Sequence, residues 1–203
     1  MKEKIVVRNL QFGYNIGNPL ISCQNLELSP GNIYVFIGEN GSGKTTFVKL
    51  LLGLLKPDCG EIQGRNNYIT GYVPDYNGLY STMTLLENIK FRLALYNLSY
   101  PEMKQEVDDL LDRYNLLYAR NMLVNHLSLG MQKKAALACT ILTKPNLLVM
   151  DEPTVGIDSA AQTELIKMIL SYLSQDTIVI CTSHDAHFID ALPCQRVMFP
   201  MEN

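Results

Sequence analysis

The sequence predicts an α/β fold with a mostly parallel sheet, an N-terminal antiparallel β-subdomain and an inserted α-helical lobe. Three observations predict it. An apolar run at 33–37 leads into Gly38-Glu39-Asn40-Gly41-Ser42-Gly43-Lys44-Thr45 and then into an apolar-rich stretch at 46–52, the order strand, glycine-rich loop, helix. Short, uniformly apolar runs at 147–150 and 177–182 alternate with helical patterns, as in a parallel sheet covered on both faces. Between about 76 and 127 the periodicity is helical.

Taken in order, alternating runs at 4–8, 11–14 and 21–28, punctuated by Gly-Asn-Pro at 17–19 and Pro30-Gly31, fit the antiparallel β-subdomain. The helix after the glycine-rich loop ends at the turn Lys56-Pro57-Asp58-Cys59-Gly60, and strands are expected near 61–63 and 68–73. Thr84-Leu85-Leu86-Glu87 and Ser99-Tyr100-Pro101-Glu102 both match the capping box, in which hydroxyl and carboxylate each satisfy an unpaired backbone N–H. Helices are therefore expected over about 84–96 and 100–114, with Leu110, Leu111 and Tyr114 packed. A helix at 128–142, a strand at 147–150, a helix at 159–173, a strand at 177–182, a short helix at 186–192 and a last strand at 196–199 complete the chain. The expectation is one domain over 1–203. Its α/β core and β-subdomain occupy about 1–75 and 143–203, and its helical lobe about 76–142.

A chain of 203 residues buries about 70% of its unfolded surface without a covalent staple. Its net charge of −3 and scattered Lys and Arg lack the basic stripe of a nucleic-acid-binding surface. The longest apolar stretches, at 135–142 and 147–150, fall short of the roughly 20 residues a membrane span requires. The start Met1-Lys2-Glu3-Lys4-Ile5 has charge but no apolar stretch, so secretion is not expected. Five cysteines, at 23, 59, 139, 181 and 194, show no C-x-x-C spacing and mostly sit in apolar runs, which fits buried free thiols in a reducing cytosol.

The chemistry begins at the glycine-rich loop. Its backbone N–H groups can close around phosphate oxygens, the following helix adds its positive end, Lys44 can reach β- and γ-phosphates, and the Thr45 hydroxyl can hold Mg²⁺. These residues point to a nucleotide. The strand at 147–150 ends in Asp151-Glu152, a pair suited to holding Mg²⁺ and orienting water at the sheet's C-terminal edge.

Leu127-Ser128-Leu129-Gly130-Met131 precedes that strand, Pro153-Thr154-Val155-Gly156-Ile157-Asp158 follows it, and Thr182-Ser183-His184-Asp185 ends the next. With these motifs in order, the chain resembles the ATP-binding cassette (ABC) ATPases across essentially its whole length. The resemblance implies that Gly38, Asn40, Gly41, Ser42, Gly43, Lys44, Thr45 and Thr46 bind ATP phosphates, and that Asp151 with Thr45 holds Mg²⁺. Glu152 looks like the general base, His184 like the residue that senses the γ-phosphate, and Asp158 like the D-loop aspartate. Ser128 and Gly130 belong to the segment that resembles the family signature. Tyr14, in Phe12-Gly13-Tyr14, sits where the family stacks an aromatic on adenine, although Tyr34 and Tyr68 compete for that part. Ser128 and Asp158 equally suit helix N-caps, and His126 and His187 match no motif.

Two departures stand out. Leu129-Gly130-Met131 replaces Gly-Gly-Gln, a form that resembles single-cassette drug, lantibiotic and peptide exporters, as does the segment 79–98. Asp75 occupies the position of a glutamine that ligates Mg²⁺ and water. A carboxylate about 4 Å from phosphate costs about 4 kcal/mol at an effective ε of about 20, so Asp75 is expected to ligate the metal or to be held away until closure. The resemblance implies an ATP-hydrolysing subunit of an exporter, cytoplasmic and peripheral on the inner face of the membrane. It would work with a separate membrane-spanning permease and pair head-to-tail with itself or a second ABC subunit. The alternatives are a soluble ABC ATPase acting on nucleic acid or ribosomes, and a nearly inactive regulatory module.

Overall fold

A computed structural model describes residues 3–15 and 18–200. In chain order the elements are β1 (Ile5–Phe12), β2 (Ile21–Leu28), β3 (Asn32–Ile37), α1 (Lys44–Leu51), β4 (Cys59–Gln63), β5 (Thr70–Val73), α2 (Leu85–Leu95), α3 (Tyr100–Arg113), α4 (Leu129–Ile141), β6 (Leu147–Met150), α5 (Ser159–Tyr172), β7 (Ile178–Ser183), α6 (Ala186–Asp190) and β8 (Cys194–Met198), with short 3₁₀ turns between. Two sheets result: a three-stranded antiparallel one, β2-β1-β4, and a five-stranded parallel one, β5-β6-β7-β3-β8.

The parallel sheet is the middle layer, and its pleat assigns its residues to two cores. Tyr34, Phe36, Leu147, Val149, Ile178 and Ile180 face the β-subdomain and α1, where Ile5, Leu10, Leu28 and Phe47 meet them. Ile33, Val35, Leu148, Met150, Val179 and Cys181 face the other way, against α2, α3, α4 and α5. The phosphate-binding segment lies at the C-terminal edge of this sheet, between β3 and α1.

Three expectations are corrected. Residues 5–8 and 11–12 of the runs at 4–8 and 11–14 belong to one strand, in which Asn9 at φ 47 makes a bulge that shifts the register between Arg8 and Gln11. Thr84 closes its capping box with Glu87, whereas the Ser99 side chain makes no cap bond; Pro101 in that helix's first turn has no N–H to cap. Finally, β8 is an edge strand with much of its length exposed, since only β3 pairs with it. The strands β6 and β7 are buried throughout, and β3 is buried apart from its two ends. Leu111 is buried and Leu110 and Tyr114 pack beside it. Helix α4 packs on α2 and equally on β5 and α5, so it belongs to lobe and core together. Cys139 and Cys181 are buried free thiols, Cys194 is half-buried and Cys59 is exposed. Met1, Lys2, Gly17 and the Cys23 side chain, each used in the sequence reading, lie outside the described residues.

Candidate nucleotide site

Gly43 is the N-cap of α1 at φ 98, a left-handed conformation open to glycine at little cost, and no side chain caps the helix. The first-turn N–H groups are thus left to a ligand, with no acidic residue among them to repel an anion. Lys44 is only 5% exposed. Its ammonium donates to the carbonyls of Gly38 (2.7 Å) and Glu39 (3.0 Å) and lies 3.6 Å from Glu152 Oε1. Two buried oxygens here, Ser42 Oγ and Glu152 Oε1, make no hydrogen bond. Glu152 lines a cavity wall, where an unpaired polar atom fits a polar ligand.

The acids follow β6. Asp151 is 2% exposed, and its Oδ1 accepts from Thr45 Oγ1 at 3.1 Å and from Thr182 Oγ1 at 2.5 Å. An all-oxygen donor pair of one hydroxyl and one carboxylate fits Mg²⁺, which usually takes one or two carboxylates and completes its shell with phosphate and water. Among the described residues no cluster of three His, Cys, Asp or Glu side chains is placed to hold a metal. Glu152 sits at φ 45, a left-handed conformation that costs a non-glycine residue about 1–3 kcal/mol. Its N–H donates to Thr182 Oγ1 (2.9 Å), its carbonyl accepts from Lys133 Nζ (3.2 Å), and its Oε2 is 3.2 Å from His184 Nδ1.

Around these groups two cavities meet, sharing Asn40, Asp75 and Glu152. One of about 420 Å³ is lined also by Tyr14, Leu20, Gly41, Gly43, Lys44, Thr45 and Thr46. The other, about 800 Å³, adds Leu129, Lys133, Thr154, Val155, Gly156, His184 and Asp185. Tyr14 is 62% exposed at the mouth, with its hydroxyl 3.3 Å from Thr46 Oγ1 and its ring edge-on to Phe12 at 5.1 Å. Its rivals are buried: the Tyr34 hydroxyl accepts from Ser29 N–H, and the Tyr68 hydroxyl donates to the Glu3 carbonyl. Only Tyr14 of the three is free to meet a base.

The remaining expected residues divide. Asp75 has its carboxylate on the Tyr76 N–H at 2.8 Å, turned onto its own loop. Ser128 caps α4, accepting from Met131 N–H at 3.3 Å, and Asp158 caps α5, accepting from Ala161 N–H at 2.8 Å. Gly130 is buried against α5, where a Cβ would stand 2.6 Å from that of Ala161. Ser128, Gly130 and Asp158 line neither cavity. His126 and His187 are exposed.

Two residues escaped the sequence reading. Thr182 joins both acids, and its signal was a hydroxyl at the end of an apolar strand. Lys133, 3% exposed, donates to the carbonyls of Asp75 (2.7 Å) and Glu152 (3.2 Å). Burial pushes its ammonium below the usual lysine range, and the facing Asp75, Asp151 and Glu152 oppose that shift. Its signal was the pair Lys133-Lys134 entering an apolar helix.

A parallel sheet whose edge carries an uncapped helix N-terminus, a buried lysine and paired acids defines a phosphate-loop nucleotide-binding domain. The family model of the ABC transporter matches residues 22–155, and the chain belongs to that family. It is 35% identical over 188 residues to the zinc import ATP-binding protein ZnuC of Buchnera aphidicola subsp. Baizongia pistaciae, covering 92% of this chain and 76% of that protein. It is 32% identical over 169 residues to the bacitracin transport ATP-binding protein BcrA of Bacillus licheniformis, covering 78% of this chain and 54% of that protein. The fold superimposes on cbiO1 of Clostridium perfringens, part of the ABC transporter complex cbiONQ, with a TM-score of 0.81 at 25% identity, over 96% of this chain and 84% of that one. The protein is thus an ABC-family ATPase, and no helix among the described residues is long and apolar enough to cross a membrane.

Proposed function

We propose that this chain is the ATP-hydrolysing subunit of an exporter, working as a head-to-tail dimer on a separate membrane-spanning permease. Within that reading the domain runs over 1–203, with a core of about 1–75 and 143–203 and a lobe of about 76–142. The observation that carries it is the convergence of Lys44 and His184 on Glu152, where the two cavities meet, beside the Thr45–Asp151–Thr182 oxygens. ATP phosphates take up the loop N–H groups and Lys44, and Tyr14 stacks on the base. Thr45 and Asp151 would hold Mg²⁺, which would supply neutralisation of phosphate charge. Glu152 draws a proton from the attacking water while His184, bonded to its carboxylate, fixes the orientation.

Ser128, Gly130 and Asp158 line neither cavity, which supports completion of the site by a second copy. A groove of about 410 Å³ between the Asp75 loop and α2, lined by Tyr76, Leu79, Tyr80, Phe91, Leu95 and Tyr96, exposes aromatic surface suited to a permease's cytoplasmic helices. One relative is named for zinc import and another for bacitracin transport, and the Leu129-Gly130-Met131 form, which resembles that of single-cassette exporters, favours export.

The test is Glu152→Gln. It should keep ATP binding, abolish hydrolysis and elute as a dimer with saturating Mg-ATP. Elution as a monomer, or turnover at the wild-type rate, would refute the reading. Export is checked by co-expression with a candidate permease and uptake into inverted vesicles.

A further inference from the structure

Glu152 is the one non-glycine residue lining the two cavities whose backbone is held in a left-handed conformation, and besides the local Val155 N–H on its carbonyl at 3.4 Å, both polar groups of its main chain meet side chains from elsewhere in the fold. Thr182 of β7 takes its N–H and Lys133 of α4 takes its carbonyl. The same ammonium grips the Asp75 carbonyl at 2.7 Å, so one buried cation joins the loop after β5, the loop after β6 and the helix that begins at Ser128. A side chain as long and as costly to order and desolvate as lysine is seldom placed inside an apolar helix face without a task. Among the described residues no carboxylate oxygen lies within 4.0 Å of its ammonium, and the Asp75, Asp151 and Glu152 carboxylates act on it only from farther away.

We propose that Lys133 is a positioning residue: it holds the Glu152 peptide in its left-handed turn and thereby makes the aim of the catalytic carboxylate depend on the placement of α4 and the Asp75 loop. Movement of the lobe that shifts α4 then reaches Glu152 through this ammonium. The inference rests on the assignment of Glu152 as the base.

The test compares Lys133→Met, which fills the same volume without a donor, with Lys133→Gln, which keeps two N–H donors on a shorter neutral stem. ATPase rate, KM for ATP, and affinity for a fluorescent ADP analogue are measured beside melting temperature. The expected result for Lys133→Met is a kcat at least tenfold lower with nucleotide affinity within twofold of wild type, and for Lys133→Gln a recovery of most of that loss. A Lys133→Met protein with kcat within twofold of wild type overturns the inference. So does a loss shared equally by affinity, a Lys133→Gln protein no better than Lys133→Met, or a Lys133→Met protein that does not fold, which would make the lysine structural only. Glu152→Gln is run in parallel. If it turns over normally the base assignment falls, whereas an inactive Glu152→Gln beside an active Lys133→Met removes only the present inference.

Discussion

Replacing Thr182 with valine keeps shape and removes one hydroxyl that serves both acids. Thr182 is fully buried; its Oγ1 donates to Asp151 Oδ1 at 2.5 Å and accepts the Glu152 N–H at 2.9 Å. A hydrogen bond to a charged group contributes about 1.5–3 kcal/mol and a buried donor left unpaired costs about 1–3 kcal/mol, together about 4. Valine's added methyl returns about 1 kcal/mol by burial, leaving a net loss of about 3 kcal/mol. In a chain of this size that lowers Tm by roughly 6–12 °C. Thr182→Ser keeps both bonds and gives up one methyl, so it should stay within about 1.5 kcal/mol of wild type. Thermal melting followed by circular dichroism, with urea titration for the free energy, measures both. A Thr182→Val protein that melts within about 2 °C of wild type would mean that the hydroxyl does not hold the two acids, and the reasoning about the site's rigidity would fail with it.

Thr84→Ala should cost about 1 kcal/mol in urea unfolding because it opens a formed capping box, whereas Ser99→Ala should cost only a few tenths because that hydroxyl caps nothing; equal losses would refute the distinction. Iodoacetamide at pH 8 should alkylate Cys59 in the native protein and spare Cys139, whose thiol burial pushes up to about 12, and Cys181, pushed higher still. Mass spectrometry of the digest reads this, and native labelling of Cys139 or Cys181 would contradict the packing. Asp75→Gln should shift the Mg²⁺ midpoint of ATPase activation downward in the presence of the permease, since it removes a charge that only a cation reconciles with triphosphate. Superimposable curves would show that Asp75, bonded to the Tyr76 N–H, stays on its own loop.

The parallel core and the β-subdomain were legible because apolar periodicity and burial share one cause: residues 147–150 and 177–182 read as buried and pair as the central strands β6 and β7. Bulges and caps were less so. Whether Asn9 bends a strand or separates two depends on the partner across it, where the carbonyls of Arg8 and Asn9 crowd Gly60, and that partner lies some fifty residues on. Motif spacing likewise located the glycine-rich loop and the paired acids but not the side chains that hold them, since Thr182 and Lys133 earn their place only through contacts made after folding.

The same limit applies to what Lys44 does before it meets phosphate. Spacing says it can reach a phosphate; the structure shows its ammonium committed to two loop carbonyls and 3.6 Å from Glu152 Oε1. At an effective ε of about 20 that attraction is worth about 5 kcal/mol. On the proposed reading a triphosphate competes with the carboxylate for this lysine, and it carries several times the charge with which to do so. The displaced Glu152 keeps its backbone pinned at the N–H and the carbonyl, so its side chain alone is released, on the side where His184 Nδ1 waits 3.2 Å from Oε2. If Glu152 is the base, as proposed, phosphate binding and freeing of the base should be one event at Lys44, and Lys44→Ala should uncouple them.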